Sequence, residues 1–170
     1  MRPSRRDGFR EFADARTGHL FRSACLLTSG DTHLAEDLVQ ETLGRMYLTW
    51  GRIARIGNPA AYAQTVLVRA FLTHQRRRSA GERPVAQFAD LGPAVAGADP
   101  ALRLTLLDAL GRLSAQDRAV VVLRYWEDRS IEETAQAMNV SSAAVRTRAG
   151  RALTRLREHL GGSLPEFAAP

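Results

Sequence analysis

The sequence predicts an all-α protein: two small helical domains joined by a flexible linker, the second containing a helix-turn-helix. Three observations predict this. Apolar residues recur by threes and fours along most of the 170 residues, and no segment sustains a strand alternation. Residues 79–100 carry three prolines, three glycines and no helical apolar stripe, which divides the periodic halves. Near the end, a short amphipathic segment, a tight turn and a longer basic segment follow one another.

The first helix covers about residues 8–28, with Phe9, Phe12, Leu20, Phe21, Ala24 and Leu27 as its buried candidates. The second spans 32–50, opened by Asp31 as N-cap after Gly30. Its apolar stripe is Ala35, Leu38, Val39, Leu43, Met46, Tyr47 and Trp50. Glu36, Asp37, Gln40, Glu41 and Arg45 lie off that stripe. The third starts at Pro59, which suits a first helical turn. It runs through Tyr62, Val66, Leu67, Ala70 and Phe71 to Arg76-Arg77-Arg78. After the linker, four helices are expected at about 101–112, 115–127, 131–138 and 142–160. Val120-Val121-Val122 is β-branched but sits inside a helical pattern. Ser130 followed by Glu132 and Glu133 fits an N-cap with acids in the first turn. Asn139-Val140-Ser141 is the tight turn. Residues 161–170 form a short, breaker-rich tail.

Charge narrows the partner. All 24 basic residues are Arg, and the formal net charge is +6. Residues 1–78 hold 13 Arg against 7 acids, 79–100 hold 1 against 3, and 101–170 hold 10 against 8. A basic chain suits a polyanionic partner, and the planar guanidinium fork suits phosphates and guanine edges. The single cysteine, Cys25, lies in the apolar run Ala24–Leu27 and reads as a small core residue, so no intramolecular disulfide is possible. The N-terminus has no apolar stretch of the signal-peptide kind, and no run approaches the roughly 18 apolar residues of a membrane span. A soluble, cytoplasmic protein without membrane insertion is expected.

The last helix carries the functional signal. At about 100° per residue, Val145, Ala149, Ala152, Leu153, Leu156 and Leu160 share one face. They would pack on Ile131, Ala135 and Met138. Thr147, Arg151 and Thr154 point the opposite way, flanked by Arg148 and Arg155 on one side and Arg146 and Gly150 on the other. No acid falls between Glu133 and Glu158. The major groove accepts one helix, whose N-terminal side chains reach bases while later arginines meet phosphates. A solvated basic face on an ordinary helix is the bland alternative; the short helix and turn before it argue against that. Arg76-Arg77-Arg78 could complement a helix dipole and no more, or meet phosphates from a domain edge.

Two segments together resemble the extracytoplasmic-function (ECF) sigma factors of bacterial RNA polymerase. The first is Ala35-Glu36-Asp37-Leu38-Val39-Gln40-Glu41-Thr42, then Trp50, Pro59-Ala60-Ala61-Tyr62 and the arginines at 76–78. The second is Leu113 through Tyr125, then Ser130 to Met138, Val145-Arg146-Thr147-Arg148 and Arg151-Ala152. The stretches Leu26-Leu27-Thr28-Ser29-Gly30-Asp31 and Leu123-Arg124-Tyr125-Trp126-Glu127-Asp128 resemble an actinobacterial sigma-E-like group within that family. The resemblance covers roughly residues 8–160. It implies binding to core RNA polymerase and to promoter DNA. Residues 1–78 would be sigma region 2, docking on the β′ coiled coil through Asp37, Gln40, Glu41 and Arg45. Arg69, Arg76, Arg77 and Arg78 would lie at the −10 element. The linker 79–100 would thread through the polymerase along its RNA exit path. Residues 101–160 would be sigma region 4, with Arg146, Thr147, Arg148, Arg151 and Arg155 at the −35 element, and the chain would also contact the β subunit of the polymerase. An anti-sigma factor is a possible further partner. The chain departs from many relatives at Arg69, where Asn is frequent, at Gly150, and at Ser142-Ala143-Ala144, where a Gly-Thr pair is common.

The competing reading is a stand-alone helix-turn-helix regulator that binds DNA without polymerase. An enzyme is not expected: His19, His33, His74 and His159 are scattered, and there is no Gly-rich phosphate loop. Neither a cofactor nor a metal is expected.

Overall fold

The structure, a computed structural model, describes residues 4–81 and 99–161. It contains α1 (Arg5–Leu27), α2 (Thr32–Ile53), α3 (Pro59–Ser79), α4 (Pro100–Gly111), α5 (Ala115–Val121), α6 (Ile131–Met138) and α7 (Ser142–Leu160). No strand occurs among the described residues. The helices form two compact units, α1–α3 in one and α4–α7 in the other. Most of the expected linker and tail lies outside the described residues. At the linker's two ends α3 takes in Ser79 and α4 starts at Pro100, with Asp99 accepting from Ala101 N as the cap.

In the first unit each helix packs on the other two. Ser4 and Asp7 form a reciprocal capping box that starts α1. The α1–α2 turn places Ser29 and Gly30 at positive φ. Thr28 Oγ1 donates to Ala24 O at 2.8 Å and Asp31 accepts from Leu34 N at 3.0 Å, so the chain reverses with its end groups satisfied. The core is Leu20, Ala24, Leu27, Leu38, Val39, Met46, Trp50, Ile53, Leu67, Val68 and Phe71. Phe9, Phe12 and Phe21, expected inside, are half-buried. Phe9 and Phe12 instead meet Trp50 edge-on or tilted at 5.0–5.5 Å, and Phe9 meets Tyr47 at 5.2 Å. Tyr47, expected on the apolar stripe, is exposed.

In the second unit α7 is the central helix, contacted by α4, α5 and α6. The helix expected over 115–127 is α-helical only to Val121; Val122–Trp126 form a π-helical turn. Glu127 N bonds Val122 O at 2.9 Å, a five-residue step. The wider turn buries Val122 and Leu123 and leaves Tyr125 and Trp126 exposed. Buried Arg118 ties α4 to α5: its guanidinium donates to Leu110 O at 2.8 Å and Leu113 O at 3.1 Å. Burial pushes it down to about 10, which still leaves it charged at neutral pH.

Candidate nucleic-acid interface

The geometry of α6 and α7 is set locally. Ser130 and Glu133 cap α6 reciprocally at 3.0 and 2.8 Å. Asn139 ends it in the left-handed conformation (φ 56, ψ 48). Val140 N then reaches back to Ala135 O at 3.0 Å, and Ser141 caps α7 by accepting from Ala144 N at 3.1 Å. Asn is among the few non-Gly residues that adopt this conformation readily, so Asn139 fixes the angle between the helices.

The inward face of α7 is Val145, Ala149, Ala152, Leu156 and Leu160, all buried; Leu153 is only half-buried. On α6, Ala135 and Met138 are buried as expected, while Ile131 is half-buried. Arg146, Thr147, Gly150, Arg151, Thr154 and Arg155 are exposed. A side chain on Gly150 would meet nothing within 4 Å. Arg146 stands 3.8 Å from Glu132 of α6, in an exposed pair of the kind that contributes little.

Two of the arginines expected on the outer surface are held from beneath. Asp117, on the first turn of α5, is 1% exposed. Arg151 clasps it with two bonds, Nε to Oδ2 at 3.0 Å and Nη2 to Oδ1 at 2.9 Å. Arg148 adds Nη1 to Oδ1 at 3.1 Å. The Arg148 side chain is 26% exposed and that of Arg151 45%. Arg148 is therefore not the freely projecting flank that helical spacing suggested, and Arg151 leans back across α7. Burial pushes the Asp117 carboxyl up, but the hydrogen bonds and charges of Arg151 and Arg148 outweigh it and hold it below the usual carboxylate value. The same pairing raises Arg151 above its ordinary value. Asp117's partners lie 31 and 34 residues further on, beyond the reach of helical periodicity.

In the first unit, Asp37, Gln40, Glu41 and Arg45 are all exposed on α2, as their place off the stripe requires. Glu41 and Arg45 pair at 2.5 Å across one helical turn. Leu48 was missed: it follows Asp37 and Glu41 at helical spacing and is 75% exposed. Gly44 lies open on the same face, with nothing within 4 Å of a Cβ. On α3, Arg69, Arg76 and Arg77 are exposed and Arg78 is half-buried. Arg76 donates to Thr73 Oγ1 at 3.4 Å.

Comparison with known proteins assigns both units. The model of sigma-70 region 2 matches residues 14–81, and that of sigma-70 region 4 matches residues 103–156. The RNA polymerase sigma-E factor of Streptomyces avermitilis is 38% identical over 152 residues, covering 89% of this chain and 84% of the relative. The chain belongs to the ECF family of RNA polymerase sigma factors. The ECF sigma factor SigL of Mycobacterium tuberculosis is 35% identical over 156 residues, covering 87% of this chain and 86% of SigL. In structure, this sigma factor is similar to RpoE of Bartonella quintana, solved with the anti-sigma factor NepR, at a TM-score of 0.75 and 26% identity over 92% of this chain and 98% of RpoE. The α6–α7 pair is thus the helix-turn-helix of a sigma region 4, and α1–α3 make up a sigma region 2. No described helix is long and apolar enough to cross a membrane.

Proposed function

We propose that residues 1–78 bind core RNA polymerase and the −10 element, that 79–100 link them to residues 101–160, which read the −35 element, and that 161–170 are a tail. The exposed α2 face of Asp37, Gln40, Glu41 and Arg45 meets the β′ coiled coil, with Leu48 as an apolar centre among charged neighbours. Arg69 and Arg76, Arg77 and Arg78 meet −10 DNA. Arg146, Thr147, Arg148, Arg151 and Arg155 meet −35 DNA. The observation that carries this is α7 itself: one face is fully packed, the other is exposed, basic and free of acids from its first residue to Arg157. The protein works in the cytoplasm, where polymerase and DNA are, as a non-catalytic initiation factor. The Bartonella relative is held by an anti-sigma factor, which supports a separate protein partner of that kind here. A stand-alone regulator is not favoured, since both sigma regions are present.

The test is transcription from a genomic fragment library by the purified chain plus core polymerase. Discrete start sites that need both components, with shared −10 and −35 elements, are expected. Tight site-specific DNA binding by the chain alone, without initiation, would overturn the reading.

A further inference from the structure

Sigma region 4 must hold flexible arginines in one pose if they are to discriminate bases rather than merely attract phosphates. An unrestrained guanidinium on its three-carbon stem finds phosphate oxygens anywhere along the backbone, and such contacts position without specifying. Here Arg148 and Arg151 share one carboxylate through three hydrogen bonds of 2.9–3.1 Å. That carboxylate is almost wholly inaccessible, so DNA cannot displace the arginines by approaching it directly. It is itself fixed: Asp117 N donates to Ser114 Oγ at 3.2 Å, and the residue sits in the first turn of α5, where the helix dipole favours an anion. Arg146 and Arg155, also on the outer surface, make no bond to Asp117.

We propose that Asp117 is a positioning and specificity residue for −35 recognition. It holds Arg148 and Arg151 in a fixed pose, and its negative charge offsets part of their attraction to arbitrary phosphates. The inference rests on the reading that α7 meets the −35 element. It gives Asp117 an effect opposite to that of an ordinary structural residue: loss of the carboxylate weakens discrimination while strengthening binding to the wrong DNA.

The experiment uses the full chain with core polymerase, on a promoter selected in the transcription test above and on the same fragment with its −35 element replaced. Affinity for each is measured across salt concentrations. For Asp117→Asn the ratio between the two fragments falls roughly tenfold, the scale of one lost bidentate contact. Affinity for the substituted fragment rises, and the salt slope steepens by about 0.9, the value of one added phosphate contact. Adding Asp117→Asn to Arg148→Ala/Arg151→Ala changes nothing further. If Asp117→Asn weakens both fragments equally at an unchanged slope, its role is structural only and the proposal is wrong. If it has no effect while the arginine substitutions do, the proposal fails but the −35 reading stands. If the double arginine variant keeps full discrimination, that reading fails instead. Should Asp117→Asn melt below the assay temperature, Asp117→Glu decides by the same ratio: it keeps the charge but moves the carboxylate by one methylene, and an unchanged ratio would overturn the proposal.

Discussion

Asp117 and Arg151 lie 34 residues apart in the chain and meet through two nearly parallel hydrogen bonds of 2.9 and 3.0 Å, joining the start of α5 to the middle of α7. The pair makes the second unit sensitive to acid. Because Asp117's folded value lies below its unfolded value of about 3.9, its stabilisation is complete above about pH 4 and is lost as pH falls through the folded value. Glu133, held down by its bonds from Ser130, loses stabilisation in the same direction. The expected outcome is that the melting-temperature gap between the native chain and Asp117→Asn is constant from pH 7 to 5 and narrows towards pH 3. A gap independent of pH would mean that the carboxylate is not held ionised by the arginines.

Gly150→Ala should stabilise the protein by up to about 1 kcal/mol, the helix-propensity difference, because the position is helical and open. Urea unfolding followed by helical signal measures it. A destabilisation would show that the space around Gly150 is filled in solution.

The Cys25 thiol should resist alkylation in the folded chain at pH 8. Burial, and secondarily the charge of Glu36, push it up to about 11, and the side chain is covered by the first unit's core. Labelling should therefore follow the opening of α1–α3, speeding up in urea in step with loss of helix. Rapid labelling without denaturant would contradict that packing.

On α2, Asp37→Arg and Glu41→Arg should each weaken core polymerase binding about tenfold or more, and Leu48→Ala should do so without a charge change. All three are exposed, so unfolding free energy should move by no more than about 0.5 kcal/mol. Unaltered core affinity with Leu48→Ala would remove the apolar centre from the interface.

Arg118→Ala should cost about 2 kcal/mol, because the carbonyls of Leu110 and Leu113 lose a buried charged donor. Thermal unfolding would register this; a change within error would mean that water replaces the guanidinium.

The helices were legible because they repeat apolar residues at the helical period, and two begin at caps that the sequence marks: Asp31 and Ser130 accept from the backbone three residues on, as Asn58 and Ser141, not read as caps, also do. The outward residues of α2 followed from the same period. What the period could not reveal is contact across the fold. Asp117 reads as an ordinary acid in a first helical turn, and only packing of α5 on α7 brings its carboxylate under Arg148 and Arg151. The π turn was equally hidden, since Val122-Leu123-Arg124-Tyr125-Trp126 has the composition of a plain helix end. It is followed by local bonds that no periodicity announces: Arg129 N to Leu123 O at 3.0 Å, and the Arg124 guanidinium to Arg129 O. Leu48 was passed over because an apolar residue off the stripe carries no periodic signal.

The outer face of α7 bears guanidinium groups and no ammonium, as does every basic side chain in the 170 residues. Lysine acylation, a common way for cells to silence a basic surface, finds no side chain here to modify. Nor does any physiological pH discharge these groups. The guanidinium charge of this surface is therefore untouched by lysine acylation or by pH, and its access to DNA is left to shielding, to added charge at its exposed Thr147 and Thr154, or to the number of copies of the chain.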